Sequence, residues 1–279
     1  IIQRIAVRED KDAQTLLDRL QAMSISLFVD TDDAFFFHDQ HKNDDLVLQK
    51  FMAAAQETWF STPDLEHLYK NVPGTKRVLP NNLDPRFWRN YRKSVNTSFD
   101  SPKVRFLYMG TATHDADFFD ILPAFEKLAR EMPGKFELTL VGAVRKPPQH
   151  SWLKFLPPPA EKGAYPQFVR WLVESSNFDV GIAPLVDSKF NHAKSDIKIL
   201  DYGALGLLSL VSDCPAYKDA ITAGLAIGCK NATDWYDQAA QIVDNPGKFE
   251  DIRQRAMAYV WQQRNTLKES PVIVDILSD

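Results

Sequence analysis

The chain has 279 residues, 44% hydrophobic and 25% charged, the balance of a folded globular protein rather than a disordered one. Its 33 Lys and Arg against 37 Asp and Glu give a formal net charge of −4, which argues against a nucleic-acid partner. No run approaches the ~18 apolar residues of a membrane span, and Cys214 and Cys229, without C-x-x-C spacing, offer neither a disulfide framework nor a zinc finger. A reducing cytoplasm is the default compartment, with the inner face of the membrane as the alternative. At ~150 residues per domain the length fits two domains or one large one. The chain starts Ile1-Ile2-Gln3 without an initiator Met, so a missing N-terminal piece is expected.

Apolar runs of strand length alternate with segments of helical period, the pattern of βα units around a parallel sheet. A strand is predicted over 2–7, then a helix over 11–23 with Ala13, Leu16, Leu17 and Leu20 on one face. A strand at 26–29 runs into the acidic loop Asp30-Thr31-Asp32-Asp33. A helix over 45–55, a strand at 58–61 and a helix over 63–69 follow, the last opened by Ser61-Thr62 before Pro63. A strand at 77–79 ends at Pro80-Asn81-Asn82. Residues 80–103 lose periodicity: Pro80, Pro85 and Pro102 mix with Phe87, Trp88, Tyr91 and Phe99, which marks a linker. The second half predicts strands at 104–109, 136–141, 180–182, 208–211 and 225–227. Its helices fall at 117–131, 165–174, 196–205, 232–243 and 246–263, with a short apolar tail at 272–277. The expected protein is α/β, with two Rossmann-like αβα modules. The domains are a small or truncated first one over 1–82, a linker over 83–103, a second over 104–265, and a tail over 266–279 packing back on the first.

Ligands of such sheets sit beyond the carboxyl ends of strands, where helix N-termini point free N–H groups at anions. Three loops of the second module qualify. Gly110-Thr111-Ala112-Thr113-His114-Asp115 has a glycine for close backbone approach, but it is not G-x-G-x-x-G, so no dinucleotide fingerprint is present. Gly142-Ala143-Val144-Arg145 joins a glycine to a cation. The longest is the loop over 184–198, with His192, Lys194, Ser195 and Lys198. If its helix begins after Ser195, Lys194 and Lys198 sit at the positive end of the macrodipole, an arrangement that suits an intervening phosphate. Asp201, three residues beyond Lys198 and so on a neighbouring row, can then accept from sugar hydroxyls. A nucleotide-sugar fits that spacing. Surface solvation of Lys194 and Lys198, pairing of Asp201 with Lys198, and a helix cap at His114-Asp115 are the competing readings.

The block Leu200-Asp201-Tyr202-Gly203-Ala204-Leu205-Gly206, with the strand Leu207-Leu208-Ser209-Leu210-Val211, resembles the donor domain of GT-B glycosyltransferases, specifically the retaining family-4 group. Asp201 stands at the second acid of that family's E-x7-E motif, which holds the ribose. Ala193 stands at the first, and Lys198 matches the Lys of the K-x-x-E-Y branch. Lys194-Ser195-Asp196-Ile197-Lys198 is similar to enzymes of O-antigen and related bacterial surface polysaccharide synthesis. Ser61-Thr62-Pro63-Asp64-Leu65 and Val78-Leu79-Pro80-Asn81-Asn82-Leu83-Asp84 resemble the interdomain signatures, with Asn82 for a Gly. Gly110 stands where the family places the glycine after its first donor-domain strand, while the R-x-x-x-x-K pair downstream is absent.

The resemblance implies transfer of a sugar from a nucleotide-sugar to a glycan or lipid-linked acceptor, with retention and without a metal cofactor, and leaves peripheral membrane association open. His114, Lys194 and Lys198 are the expected catalytic set. Gly110, Thr111, Asp115, Arg145, His192, Ser195, Asp201 and Tyr202 are the expected donor contacts. The missing first acid at Ala193 favours a rival, a non-catalytic nucleotide-sugar-binding module of a larger assembly. The cluster Asp30, Asp32, Asp33, His38, Asp39 and His41 has metal-ligating chemistry but reads better as a solvated loop. Phe35-Phe36-Phe37 is expected to pack under a neighbouring domain.

Overall fold

The structure, a computed structural model, describes residues 1–4, 6–34, 37, 42–88, 102–111, 114–158, 164–175 and 177–278. Two compact units emerge: Ile1–Asn81 with Asp187–Ser195, and Asn82–Val186 with Asp196–Asp279.

The first unit is a four-stranded parallel sheet in the order β1-β2-β3-β4: β1 (Ile2–Gln3), β2 (Phe28–Thr31), β3 (Glu57–Phe60) and β4 (Thr75–Val78). Helices α1 (Asp10–Ala22), α2 (Lys42–Ala54) and α3 (Pro63–Leu68) connect them. Val47, Leu48, Phe51 and Met52 of α2 bury one face against Val29 and Phe60. The start of α3 is fixed locally: Thr62 Oγ1 accepts from the Leu65 amide at 3.1 Å, and Pro63 occupies the first helical position. The same hydroxyl donates to the Ala193 carbonyl at 2.9 Å. This bond holds the returning segment Asp187–Ser195, with its one-turn helix α7 (Lys189–His192), inside the first unit.

The second unit carries six parallel strands in the order β10-β9-β8-β5-β6-β7. They are β5 (Val104–Met109), β6 (Phe136–Val141), β7 (Leu153–Phe155), β8 (Val180–Ala183), β9 (Leu208–Ser212) and β10 (Ile227–Cys229). Alternate side chains enter opposite layers, as the pleat requires. Phe106, Tyr108, Leu138, Leu140, Ile182 and Leu210 pack with α5 (Asp115–Glu131) and α10 (Ala232–Asp244). Leu107, Met109, Val141, Ala183 and Val211 pack with α6 (Tyr165–Ser175), α8 (Ile197–Ala204), α9 (Lys218–Thr222) and α11 (Glu250–Gln263).

Several expectations need correction. The linker expected over 83–103 begins as part of the second unit. Leu83 bridges Asn265, and the short helix α4 (Pro85–Trp88) buries Trp88 in the core, because its indole supplies the apolar area that fixes it. Tyr91 and Phe99 lie outside the described residues. The apolar tail is helix α12 (Thr266–Ser278), counted in the second unit, where the Thr266 amide donates to Leu83 O at 2.9 Å. The helix expected over 246–263 starts as a 3-10 turn, Pro246–Phe249, before α11.

Candidate functional site

The second sheet grows outward through β5, β6 and β7, then restarts on the other side of β5 with β8, β9 and β10. The reversal lies between β5 and β8, and the crevice beyond their carboxyl ends is where such sheets bind ligands. Two glycines shape its β5–β6 side. Gly142 has φ +71°, and a Cβ there would lie 2.7 Å from Gly110 O, so only glycine fits without displacing the neighbouring loop. A Cβ on Gly110 would reach within 3.0 Å of His114 Cδ2; the imidazole fills the space that Gly110 leaves.

Those glycines place His114 at the head of α5. Its Nδ1 lies 2.7 Å from Asp117 Oδ2, while Asp117 Oδ1 accepts from the Val186 amide at 2.8 Å. One buried carboxylate therefore ties the start of α5 to the loop after β8. Tyr108 packs edge-on to the same imidazole, and burial raises its phenol pKa well above the ordinary value. Asp115 and Arg145, expected separately as donor contacts, bind each other: the Arg145 amide donates to Oδ1 at 2.9 Å and Nε to Oδ2 at 2.8 Å. These bonds hold the Asp115 carboxyl below its usual range. Thr111 is exposed in this loop, and Ala112 and Thr113 lie outside the described residues.

Helix α8 starts at Ile197, later than expected, with Asp196 at its N-cap position. That carboxylate is gripped by Arg264, with Nη1 to Oδ2 at 2.7 Å and Nη2 to Oδ1 at 2.9 Å. An anion at this helix end is thus supplied by the chain itself. One turn in, Lys198 Nζ lies 3.7 Å from Asp201 Oδ2. Asp201 is 7% exposed, and its Oδ1 has no hydrogen-bond partner among the described residues. Burial lifts its pKa from 3.8 to about 6, against the opposing pull of Lys198. Tyr202, expected among the donor contacts, is fully buried: its hydroxyl donates to Ile182 O at 2.7 Å, and its ring occupies the space above Gly181.

The remaining expected residues belong to the first unit. Lys194 Nζ lies over the Phe190 ring at 4.3 Å and 3.9 Å from Asp33. Ser195 Oγ accepts from Asn81 at 2.8 Å, and His192 Nε2 is 2.6 Å from Asp187. Of the acidic cluster, Asp30 accepts from Gln3, Asp32 pairs with Arg4 and Asp33 faces Lys194. His38, Asp39, His41, Phe35 and Phe36 lie outside the described residues. Phe37 packs edge-on to Phe190. Among the described residues no group of three or more His, Cys, Asp or Glu is placed to hold a metal ion, and no helix is long and apolar enough to cross a membrane.

Sequence reading missed Asp117, Asp196 and Arg264. The i, i+3 spacing of His114 and Asp117 at a helix start was the one available signal.

An α/β chain with two parallel Rossmann-like sheets, the second in 3-2-1-4-5-6 order, defines the GT-B architecture. Solved structures share this fold. HepE of Anabaena, in complex with UDP and glucose, is 12% identical with a TM-score of 0.68, over 97% of this chain and 76% of that one. Sucrose-phosphate synthase from Thermosynechococcus elongatus is 12% identical with a TM-score of 0.64, over 96% and 72%. A trehalose 6-phosphate synthase from Burkholderia multivorans is 14% identical with a TM-score of 0.64, over 95% and 69%. At these identities the likeness is one of fold. No protein-family model and no curated protein matches the sequence.

Proposed function

We propose that this chain is a glycosyltransferase that binds a nucleotide-sugar at the carboxyl ends of β5 and β8 and at α8 of its second unit. The observation that carries the reading is Asp201: a buried carboxylate on α8 with one oxygen left without a donor among the described residues. An acceptor-only group in that state suits the vicinal hydroxyls of a ribose, the role that the family resemblance gives this position. Lys198 beside it supplies a cation to the diphosphate as negative charge grows on the leaving group, an electrostatic contribution to the transfer step. Similarity of fold to HepE, whose complexes hold UDP and UDP-glucose, supports the donor class.

The assignment rests on residues of the second unit alone. Retention of configuration, a hexosyl donor, a glycan or lipid-linked acceptor of bacterial surface polysaccharide and the absence of a resident metal are carried by the resemblance and form part of the proposal. So does a cytoplasmic site, at the inner face of the membrane for a lipid-linked acceptor. Ala193, buried where the family has its first acid, favours a second reading, a nucleotide-sugar-binding module without turnover.

Calorimetric titration with UDP-, GDP-, dTDP- and CMP-sugars tests donor binding, and release of free nucleotide in the presence of glycan acceptors separates the two readings. Wild type should bind one donor, and the double variant Lys198→Ala, Asp201→Ala should bind it at least tenfold more weakly. Equal affinities would remove the site assignment.

A further inference from the structure

Both carboxylate oxygens of Asp117 act as acceptors. Oδ1 takes the Val186 amide at 2.8 Å, and Oδ2 faces His114 Nδ1 at 2.7 Å. A carboxylate in that position offers no proton, so Nδ1 carries one, and the tautomer with that single ring proton has its lone pair on Nε2. The Cδ2–Nε2 edge lies against Gly110 at the end of β5: a Cβ there would stand 3.0 Å from Cδ2 and 3.6 Å from Nε2. Nε2 has no hydrogen-bond partner among the described residues, and the side chain keeps 18% of its surface exposed at the switch point.

We propose that Asp117 is a positioning residue that presents His114 Nε2 as a hydrogen-bond acceptor to a sugar hydroxyl of the bound nucleotide-sugar. The inference rests on the donor-site reading above and deepens it. Ionised phosphates cannot donate to a lone pair, whereas sugar hydroxyls can. Ribose and the transferred sugar both carry them.

Asp117→Asn tests this with little change of shape. Its amide oxygen still accepts from Val186 while its NH2 donates to Nδ1, which moves the ring proton to Nε2. The expected result is a thermal midpoint close to wild type, a ring protonated at Nε2 by 15N NMR, and about tenfold weaker binding of the preferred donor. Calorimetry with UDP-, GDP- and dTDP-glucose, each beside its free diphosphate, reads the last. A loss shared by the diphosphate places the hydroxyl on the ribose; a loss confined to the sugar-nucleotide places it on the transferred glucose. His114→Ala should lose the same tenfold. His114→Gln, whose amide oxygen stands near the place of Nε2, should bind within about threefold of wild type and lose nothing more when Asp117→Asn is added. Unchanged donor affinity in Asp117→Asn with the proton moved, or in His114→Ala, overturns the positioning role alone. A wild type that binds none of these nucleotides overturns the donor-site reading, and this inference with it.

Discussion

Asp201→Asn should make the protein more stable and a poorer binder at once. The carboxylate is 7% exposed, and burial has raised its pKa from 3.8 to about 6 even with Lys198 Nζ at 3.7 Å. The folded chain therefore holds this proton more tightly than the unfolded chain does. Its contribution to stability is full below pH 3.8, declines as pH rises towards 6, and stays low above that. A pKa raised by about 2 corresponds to roughly 3 kcal/mol withheld from the fold at pH 7.5. Asn keeps the shape and removes the charge. Lys198 loses a partner, but its side chain is 24% exposed and can be solvated. Urea denaturation should then show the variant about 2–3 kcal/mol more stable than wild type at pH 7.5, with the gap closing towards pH 4. Donor affinity should fall about ten- to a hundredfold, the worth of hydrogen bonds to a charged acceptor. A variant less stable at pH 7.5, or a stability gap that does not change with pH, would refute the electrostatic argument. Unchanged donor affinity would refute the role of Asp201 in binding.

Other substitutions test the surrounding frame. Gly142→Ala should destabilise by at least about 2 kcal/mol in urea, since φ is +71° and the new Cβ would meet Gly110 O at 2.7 Å. Tyr202→Phe should lose about 1–2 kcal/mol through the bond to Ile182 O and leave donor affinity unchanged; weaker binding in calorimetry would place the Tyr202 hydroxyl among the donor contacts. Asp196→Ala, which strips Arg264 of a bidentate partner at a side chain only 15% exposed, should lower stability by about 2 kcal/mol, read as a fall in thermal midpoint.

What could be read along the chain depended on whether neighbours in space were also neighbours in sequence. Strands β5 and β6 match their predicted bounds, 104–109 and 136–141, because central parallel strands are near-continuous apolar runs between polar breaks. Strand β7 was not anticipated: it has three residues, two of them exposed, and exists through its pairing with β6 rather than through any pattern of its own. Helix α12 was foreseen only as an apolar tail, since Pro271 interrupts the helical period that the structure nonetheless continues across it. The site follows the same division. That Gly110 follows a strand and that Lys198 and Asp201 share a helix was legible along the chain. The partners of Asp117 and Asp196 were not, because Val186 and Arg264 lie 69 and 68 residues away and are brought in only by setting β8 beside β5 and folding the end of α11 back. Lys194 was legible as a cation close to a helix start, whereas Asp33 lies far off in sequence and meets it only within the folded first unit, beside Phe190.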